Sequence, residues 1–351
     1  MTSDQSGSTP GASAQKRSTR KYVVLASAVA VVIGGWSAAW FTARSYLDAE
    51  ITRVMETAAA NGAELACLER KLTGFPFRFE LTCKDFVLRD PLGGFFSVAT
   101  LRAVTLVYNP MHVIIEADSP MAAFRSGDSP IQEATWGSFR SSVRFNTQGL
   151  TKLDAVIETP RFFSSDNPAQ GEVTMTTAEL HLRPTPDQPA NLDIAFSFTG
   201  LKTGDPAHPG TDGALVGKVS GAAPLLGGTI PLDLFADTDG VPAIALSQLR
   251  LASGDASLST SGTLKLPSDG YLTGEFPLVA IQPDKAGQVI APLFPPATPF
   301  PEALQGALVS FGKKTEREGK PAIDATLSLA AGTARIGILP VAQMQSVYGE
   351  Q

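Results

Sequence analysis

Cysteine and histidine are scarce in this chain of 351 residues. Cys67 and Cys83 are the two cysteines, and His112, His181 and His208 are the three histidines. No His-x-x-x-His or comparable ligand spacing exists, so a metal centre is not expected. No Cys-x-x-Cys redox pair is present. Gly-x-Ser-x-Gly elbows and phosphate loops are missing, and with them the usual signatures of a hydrolase or nucleotide enzyme. Charge is also sparse: 18% of residues are charged and 43% are hydrophobic, a low charge fraction for a soluble cytosolic protein. The mean hydropathy is +0.07. A basic excess is absent. The formal net charge is -6, and residues 1–21 alone hold Lys16, Arg17, Arg20 and Lys21 against Asp4, leaving the remainder strongly acidic. Such a body does not track phosphates, so nucleic acid is excluded as a partner. With 32 Gly and 26 Pro, long helices cannot dominate.

What is present is an uncharged run, Tyr22 to Phe41, which lacks proline. Twenty helical residues span about 30 Å, the thickness of a bilayer core, and only a helix satisfies its own backbone there. Tyr22, Trp36, Trp40 and Phe41 lie toward its ends, where aromatic rings favour the interface. The basic flank predicts a cytoplasmic N-terminus. A cleaved signal peptide is the competing reading, but bulky Trp40-Phe41 stands where a small-x-small site would be needed. The first fifteen residues, rich in Ser, Thr, Gly and Gln, are expected to be disordered. The expected organisation is a cytoplasmic tail over 1–21, an anchor over 22–41, an amphipathic helix over 43–66 and a periplasmic β-rich domain over 67–351.

Leu47, Ile51, Val54, Ala58 and Leu65 form the stripe of that second helix, with Asn61-Gly62 as its end or bend. Beyond it the period falls to two. Phe75, Phe77, Phe79, Leu81 and Cys83 alternate with Pro76, Arg78, Glu80 and Thr82, which predicts a half-buried strand and places Arg78 on its wet face. A bulge or break is expected near Asp85. Further strands are expected over 100–108, 112–116, 134–145, 153–158, 173–182 and 192–199, with loops over 160–171 and 203–213. Ala256, Leu258, Thr260, Gly262, Leu264 and Leu266 alternate with polar residues. Past the turn at Pro267-Ser268-Asp269-Gly270, Leu272, Gly274, Phe276 and Leu278 do the same, predicting a hairpin. Short helices are expected near 285–293 and 302–312, then a hairpin turning at Ala331-Gly332, then a helical turn or two over 341–348. The fold class is mostly β (α+β): a transmembrane helix and an amphipathic helix, then a long, curved antiparallel meander sheet with a few short helices.

Cys67 and Cys83 would pair in an oxidising compartment, and closing a loop of this size is worth about 3 kcal/mol in the chain-entropy model. A metal site or a redox pair are the other readings.

Several motifs carry a family resemblance. Cys67, Gly74-Phe75-Pro76-Phe77-Arg78 and Cys83 follow an N-terminal anchor. Tyr108-Asn109-Pro110-Met111-His112-Val113-Ile114-Ile115 comes next. Later stand Ser261-Gly262-Thr263-Leu264-Lys265-Leu266, Asp269-Gly270-Tyr271-Leu272-Thr273-Gly274-Glu275-Phe276 and the closing stretch Leu329 to Pro340. Together they resemble the bacterial domain-of-unknown-function 2125 family, and the closing stretch is similar to AsmA-like proteins more broadly. The resemblance implies a Gram-negative envelope protein, and with the basic flank and the cysteines the expected location is an inner-membrane anchor with a periplasmic C-terminal domain. The AsmA-like part implies a curved sheet with an apolar groove and membrane lipid as the ligand. It brings no catalytic residues and no cofactor.

The candidate groove residues are Phe75, Phe77, Phe79, Leu81, Leu258, Leu264, Leu266, Leu272 and Phe276. Apolar strand faces need a cover, and a closed sandwich or barrel would supply one equally well. Asp233, Asp237, Asp239 and Asp255 stand beside turns and read as solvating acids. An envelope protein bound through a sheet edge is the alternative partner. A hydrolase is the third reading, and the missing nucleophile constellation speaks against it.

Overall fold

The computed structural model describes residues 19–60, 62–89, 94–124, 131–165, 171–204, 208–227, 243–267, 269–295 and 298–347. The tail up to residue 18, Asn61, Asp233, Asp237, Asp239 and Tyr348 lie outside the described residues. The chain divides into two compact units, Met1–Ile51 and Thr52–Gln351.

Helix α1 (Thr19–Ala60) runs for 42 residues, about 63 Å at 1.5 Å per residue. The anchor and the amphipathic helix are therefore one element. The Thr42 hydroxyl donates to the Ala38 carbonyl (2.9 Å) and the Ser45 hydroxyl to the Phe41 carbonyl (3.1 Å) across the expected junction. α1 stops at Ala60, short of the expected Ala66. Gly62 has φ +81°. Its N–H donates to Ala59 (3.0 Å) and the Ala63 N–H to Ala58 (2.9 Å), the paired bonds of a Schellman cap.

Strand pairing claims the next residues. The body is one antiparallel sheet: β1 (Glu64–Thr73), β2 (Arg78–Arg89), β3 (Phe95–Leu106), β4 (Asn109–Phe124), β5 (Gln132–Thr135), β6 (Ser138–Asn146), β7 (Gly149–Glu158), β8 (Arg161–Ser164), β9 (Val173–Thr174), β10 (Thr177–Thr185), β11 (Gln188–Thr203), β12 (Thr211–Val219), β13 (Ala243–Ser253), β14 (Ala256–Lys265), β15 (Gly274–Ile281), β16 (Lys313–Arg317), β17 (Lys320–Ala330), β18 (Thr333–Ile336) and β19 (Leu339–Gln343). The main path is a meander, β1-β2-β3-β4-β6-β7-β10-β11-β12-β13-β14-β15-β17-β18-β19. A second path, β4-β5-β8-β9-β11, joins the far halves of the two 16-residue strands.

Both paths exist because one line of irregularities crosses the sheet. It passes Asp85 (φ +48°), Ala99, Ser119-Pro120, Trp136-Gly137, Thr159-Pro160, Met175-Thr176 and Gly200 on successive neighbours. Bulges of this kind bend a strand and sharpen its twist. The line is stitched by hydrogen bonds. The Trp136 indole donates to Ala117 (2.8 Å), Thr159 N–H to Thr176 (2.8 Å) and Thr176 N–H to Thr199 (2.8 Å). Gly200 sits there with φ +64°, and a β-carbon would lie 2.5 Å from Thr176 Oγ1.

Further expectations need correction, beginning with the strands expected over 134–145 and 173–182, which the line of irregularities breaks into β5 with β6 and β9 with β10. Residues 161–164 form β8 where a loop is expected, because β5 offers them a partner. Residues 339–343 form β19, not a helical turn, because β18 pairs with them. Phe75 and Phe77 are not strand residues. They occupy the β1–β2 turn, closed by the Arg78 N–H on the Gly74 carbonyl (3.1 Å).

The main core lies at the C-terminal end of the sheet. Helices α2 (Ala286–Ile290) and α3 (Phe300–Phe311) pack there, burying Val289, Ile290, Leu304, Ala307 and Leu308 against Phe198, Leu251, Leu258, Leu278, Ala280 and Ile323. Each large side chain so buried contributes about 1.5–3 kcal/mol.

Candidate apolar-ligand site

Side chains of paired residues share a face, so the register builds the candidate site directly. One row runs Leu81, Ala103, Ile115, Ser141, Ala155, Leu180, Phe196, Leu215, Leu249, Thr260 and Leu278 across the main path. Two residues to one side lies Phe79, Thr105, Val113, Val143, Leu153, Leu182 and Ile194. To the other side lies Phe139, Ile157, Ala178, Phe198, Gly213, Leu251, Leu258, Ala280 and Ile323. One face thus carries three nearly unbroken apolar rows.

Their burial changes along the sheet. From β13 onward the rows pass beneath α2 and α3. Over β2 to β12 most of their residues are only half-buried, and Phe196 is 36% exposed. Among the described residues, cover there comes from the 3-10 turn Ala223–Gly227 against β7, β10 and β11, from Ala291–Leu293 reaching β11, and at the β1 edge from Thr52 and Met55 of α1, which meet Arg70. At the boundary between open and covered stretches lies a wholly apolar cavity of about 220 Å³. Its walls include Leu249, Leu251, Leu258 and Leu278 from the sheet and Ile290, Leu293, Phe294, Phe300 and Leu304 from the helical segment.

The opposite face is polar and laced with ion pairs. Arg102 meets Asp118 (3.0 Å) and Glu116 (3.7 Å), and Arg183 meets Asp193 (3.2 Å). Lys152 and His181 both meet Asp154 at 2.8 Å. Burial pushes the Asp154 carboxyl up, but the hydrogen bonds from Lys152 and His181 outweigh it and hold the group below its ordinary range. A larger open hollow of about 440 Å³ lies on this side, lined by Lys152, Asp154, His181, Arg183, Asp193 and Lys218. Its cations are already paired, Lys218 with the Gln188 side chain (3.4 Å).

The histidines have structural partners. His112 bonds Ser142 (2.8 Å), His181 bonds Asp154, and His208 bridges the Gln288 carbonyl (3.0 Å) and the Gly210 N–H (3.0 Å). Serine and carboxylate thus fall on different histidines, which is not the order a charge-supported nucleophile needs. Among the described residues no group of three or more His, Cys, Asp or Glu could hold a metal ion. Asp255 is engaged by Lys285 (3.0 Å), whose hydrogen bond lowers the carboxyl and raises the ammonium.

The candidate groove residues separate into groups. Phe79 and Leu81 lie in the half-buried rows, and Leu258 lines the cavity. Leu266 and Phe276 are buried; the Phe276 ring lies over Gly262 and Gly274, where a β-carbon would approach it to 2.8 Å. Leu264 is half-buried and pairs with Ile244 of β13, past the stretch of β14 that β15 pairs; Leu272 is half-buried in the β14–β15 connection, and Phe75 and Phe77 stand exposed at the turn. The central rows of β4 to β12 were missed, because their strands are short in apolar contrast when read singly. Only register shows that Ile115, Ala155, Leu180 and Phe196 are neighbours.

Cys67 and Cys83 form a disulfide, with Cα atoms 5.4 Å apart. It ties β1 to β2 beside the Asp85 irregularity. In α1, Val23, Val24, Leu25, Val29, Val31, Val32 and Ile33 are exposed at successive positions around the helix, as are Tyr22, Trp36 and Phe41, while Trp40 is 4% exposed and sets its ring edge-on to Phe41 (centroids 5.1 Å apart). Among the described residues α1 is the one helix long and apolar enough to cross a membrane.

Searches of curated proteins and of solved structures each gave no match. Residues 40–345 match the model of an uncharacterized protein family conserved in bacteria, DUF2125, and with most of its length matched the chain belongs to that family.

Proposed function

We propose that this protein is anchored in the bacterial inner membrane by α1 and binds membrane lipid, or another elongated apolar ligand, along the apolar rows of its sheet. The observation that carries this reading is the nearly unbroken run of mostly half-buried apolar side chains from β2 to β12, leading into the apolar cavity under α2 and α3. Covering such a surface with hydrocarbon gains about 0.8 kcal/mol per buried methylene. The opposite face, with its ion pairs, is suited to water. The AsmA-like resemblance of the closing stretch agrees with this arrangement.

The N-terminus is assigned to the cytoplasm and the sheet to the periplasm. Support comes from the basic flank of α1 and from the disulfide, which suits an oxidising compartment.

The test is purification without detergent, in lipid-bilayer polymer discs, followed by delipidation and mass spectrometry of what stays bound. Wild-type protein should retain lipid at a fixed ratio. Ala155→Glu, which sets a charge in the central row, should lower that ratio severalfold while leaving the fold's circular dichroism unchanged. Equal retention by both proteins rules out the rows as the binding surface. A stoichiometric protein in place of lipid would favour the assembly-factor alternative.

A further inference from the structure

The turns at one end of the sheet differ sharply in chemistry. The first three hairpin tips of the main path, β1–β2, β3–β4 and β6–β7, are neighbours: the Val107 N–H of the second donates to the Phe77 carbonyl of the first (3.0 Å), and His112 beside the second pairs with Arg144 of the third strand pair. The first two present Tyr108 at 77% exposure, Phe77 at 61%, Met111 at 50% and Phe75 at 48%; the third adds Phe145 beside an otherwise polar turn of Asn146, Thr147 and Gln148. The β10–β11 tip at the same end carries no aromatic residue, with Pro186, Asp187, Gln188 and Pro189 exposed. Single exposed apolar residues are ordinary, but several on adjoining tips mark a contact surface. Trp and Tyr rings, apolar with one polar end, favour the layer between headgroups and hydrocarbon, and Tyr108 is such a ring.

The occupant is indicated by where the chain enters this unit. Its first residue, Thr52, accepts a hydrogen bond from Arg70 (3.1 Å), and Met55 Sδ lies 3.5 Å from the same guanidinium. Arg70 stands in the tip-proximal half of β1, so the part of α1 that belongs to this unit begins beside the aromatic tips and not the β10–β11 tip.

We infer that these tips rest in the interfacial layer of the bilayer, so that the apolar rows, which begin at Phe79 and Leu81 immediately behind them, open toward the lipid. This rests on the anchoring proposed above. The full-length protein, labelled with an environment-sensitive fluorophore at a single cysteine while the native disulfide is intact, would be reconstituted in phosphatidylethanolamine–phosphatidylglycerol vesicles containing a nitroxide lipid quencher. Three sites are compared: Val29→Cys in α1, Tyr108→Cys at the tip, and Ser310→Cys on the exposed side of α3. Quenching at residue 29 and severalfold stronger quenching at 108 than at 310 are expected. Quenching at 29 with 108 no different from 310 overturns the inference and leaves the anchor standing. No quenching at 29 removes the anchor and the inference with it.

Discussion

Glu69 shows how much a single exposed residue can report. Its carboxyl pairs with Lys71 and with Lys84 (2.8 Å), and the hydrogen bond from Lys71, then that from Lys84, pulls its pKa from 4.5 to about 2. The Lys84 ammonium is raised by the same contact. Because the folded value lies below the unfolded one, the stabilisation is complete above pH 4.5 and fades as pH falls toward about 2. The group is solvent-exposed, so the effect is small. Wild type should melt slightly above Glu69→Gln at neutral pH, and the gap measured by thermal unfolding should close on acidification through that window. Gly200 makes a stronger claim. Its φ of +64° and the 2.5 Å approach of Thr176 Oγ1 both oppose a side chain, so Gly200→Ala should cost more than about 1 kcal/mol. Gly221, at φ +66° with open space around it, should tolerate alanine better; urea midpoints compare the two. Neither constraint was legible in the sequence. A glycine in a strand suggests a bulge, but the neighbour that forbids its replacement, Thr176, comes from the break between β9 and β10.

At the scale of elements, periodicity was readable where one face is dry and the other wet. Helix α3 is the clear case: Leu304, Ala307 and Leu308 recur at helical spacing and are buried, while Val309 and Phe311 face outward. Leu308→Ala should cost about 2–5 kcal/mol, and Val309→Ala should stay within about 0.5 kcal/mol, both read from chemical denaturation. Helix α1 was legible as a membrane-length segment, yet its far end was not. Leu65, Leu68 and Leu72 continue a three-to-four spacing into residues that β2 captures as a strand. Alternation misled in the same way at Phe75 and Phe77, since a period of two persists through a short turn without marking it. The segment 339–343 carries too little pattern to declare itself and becomes β19 because β18 is there to pair with it.

For the whole molecule, the meander followed from many short strands with turn residues between them, but the second path through β5, β8 and β9 depends on pairings invisible in any one segment. The open and covered stretches of the apolar face were likewise undecided until α2 and α3 were placed. Topology is the prediction at this scale. A reporter active only in the periplasm should work when fused after Gln351 and fail when fused before Lys16, and the reverse pattern would overturn the assigned orientation. The meander also bears on how the protein is made. Ribosomes deliver the N-terminus first, and nearly every strand on the main path pairs with one already synthesised. Contacts local in sequence keep loop-closure costs low. Such a sheet can be laid down strand upon strand as the chain emerges; α2 then meets β13 and β14 already in place, whereas α3 waits for β17, β18 and β19, which leave the ribosome after it.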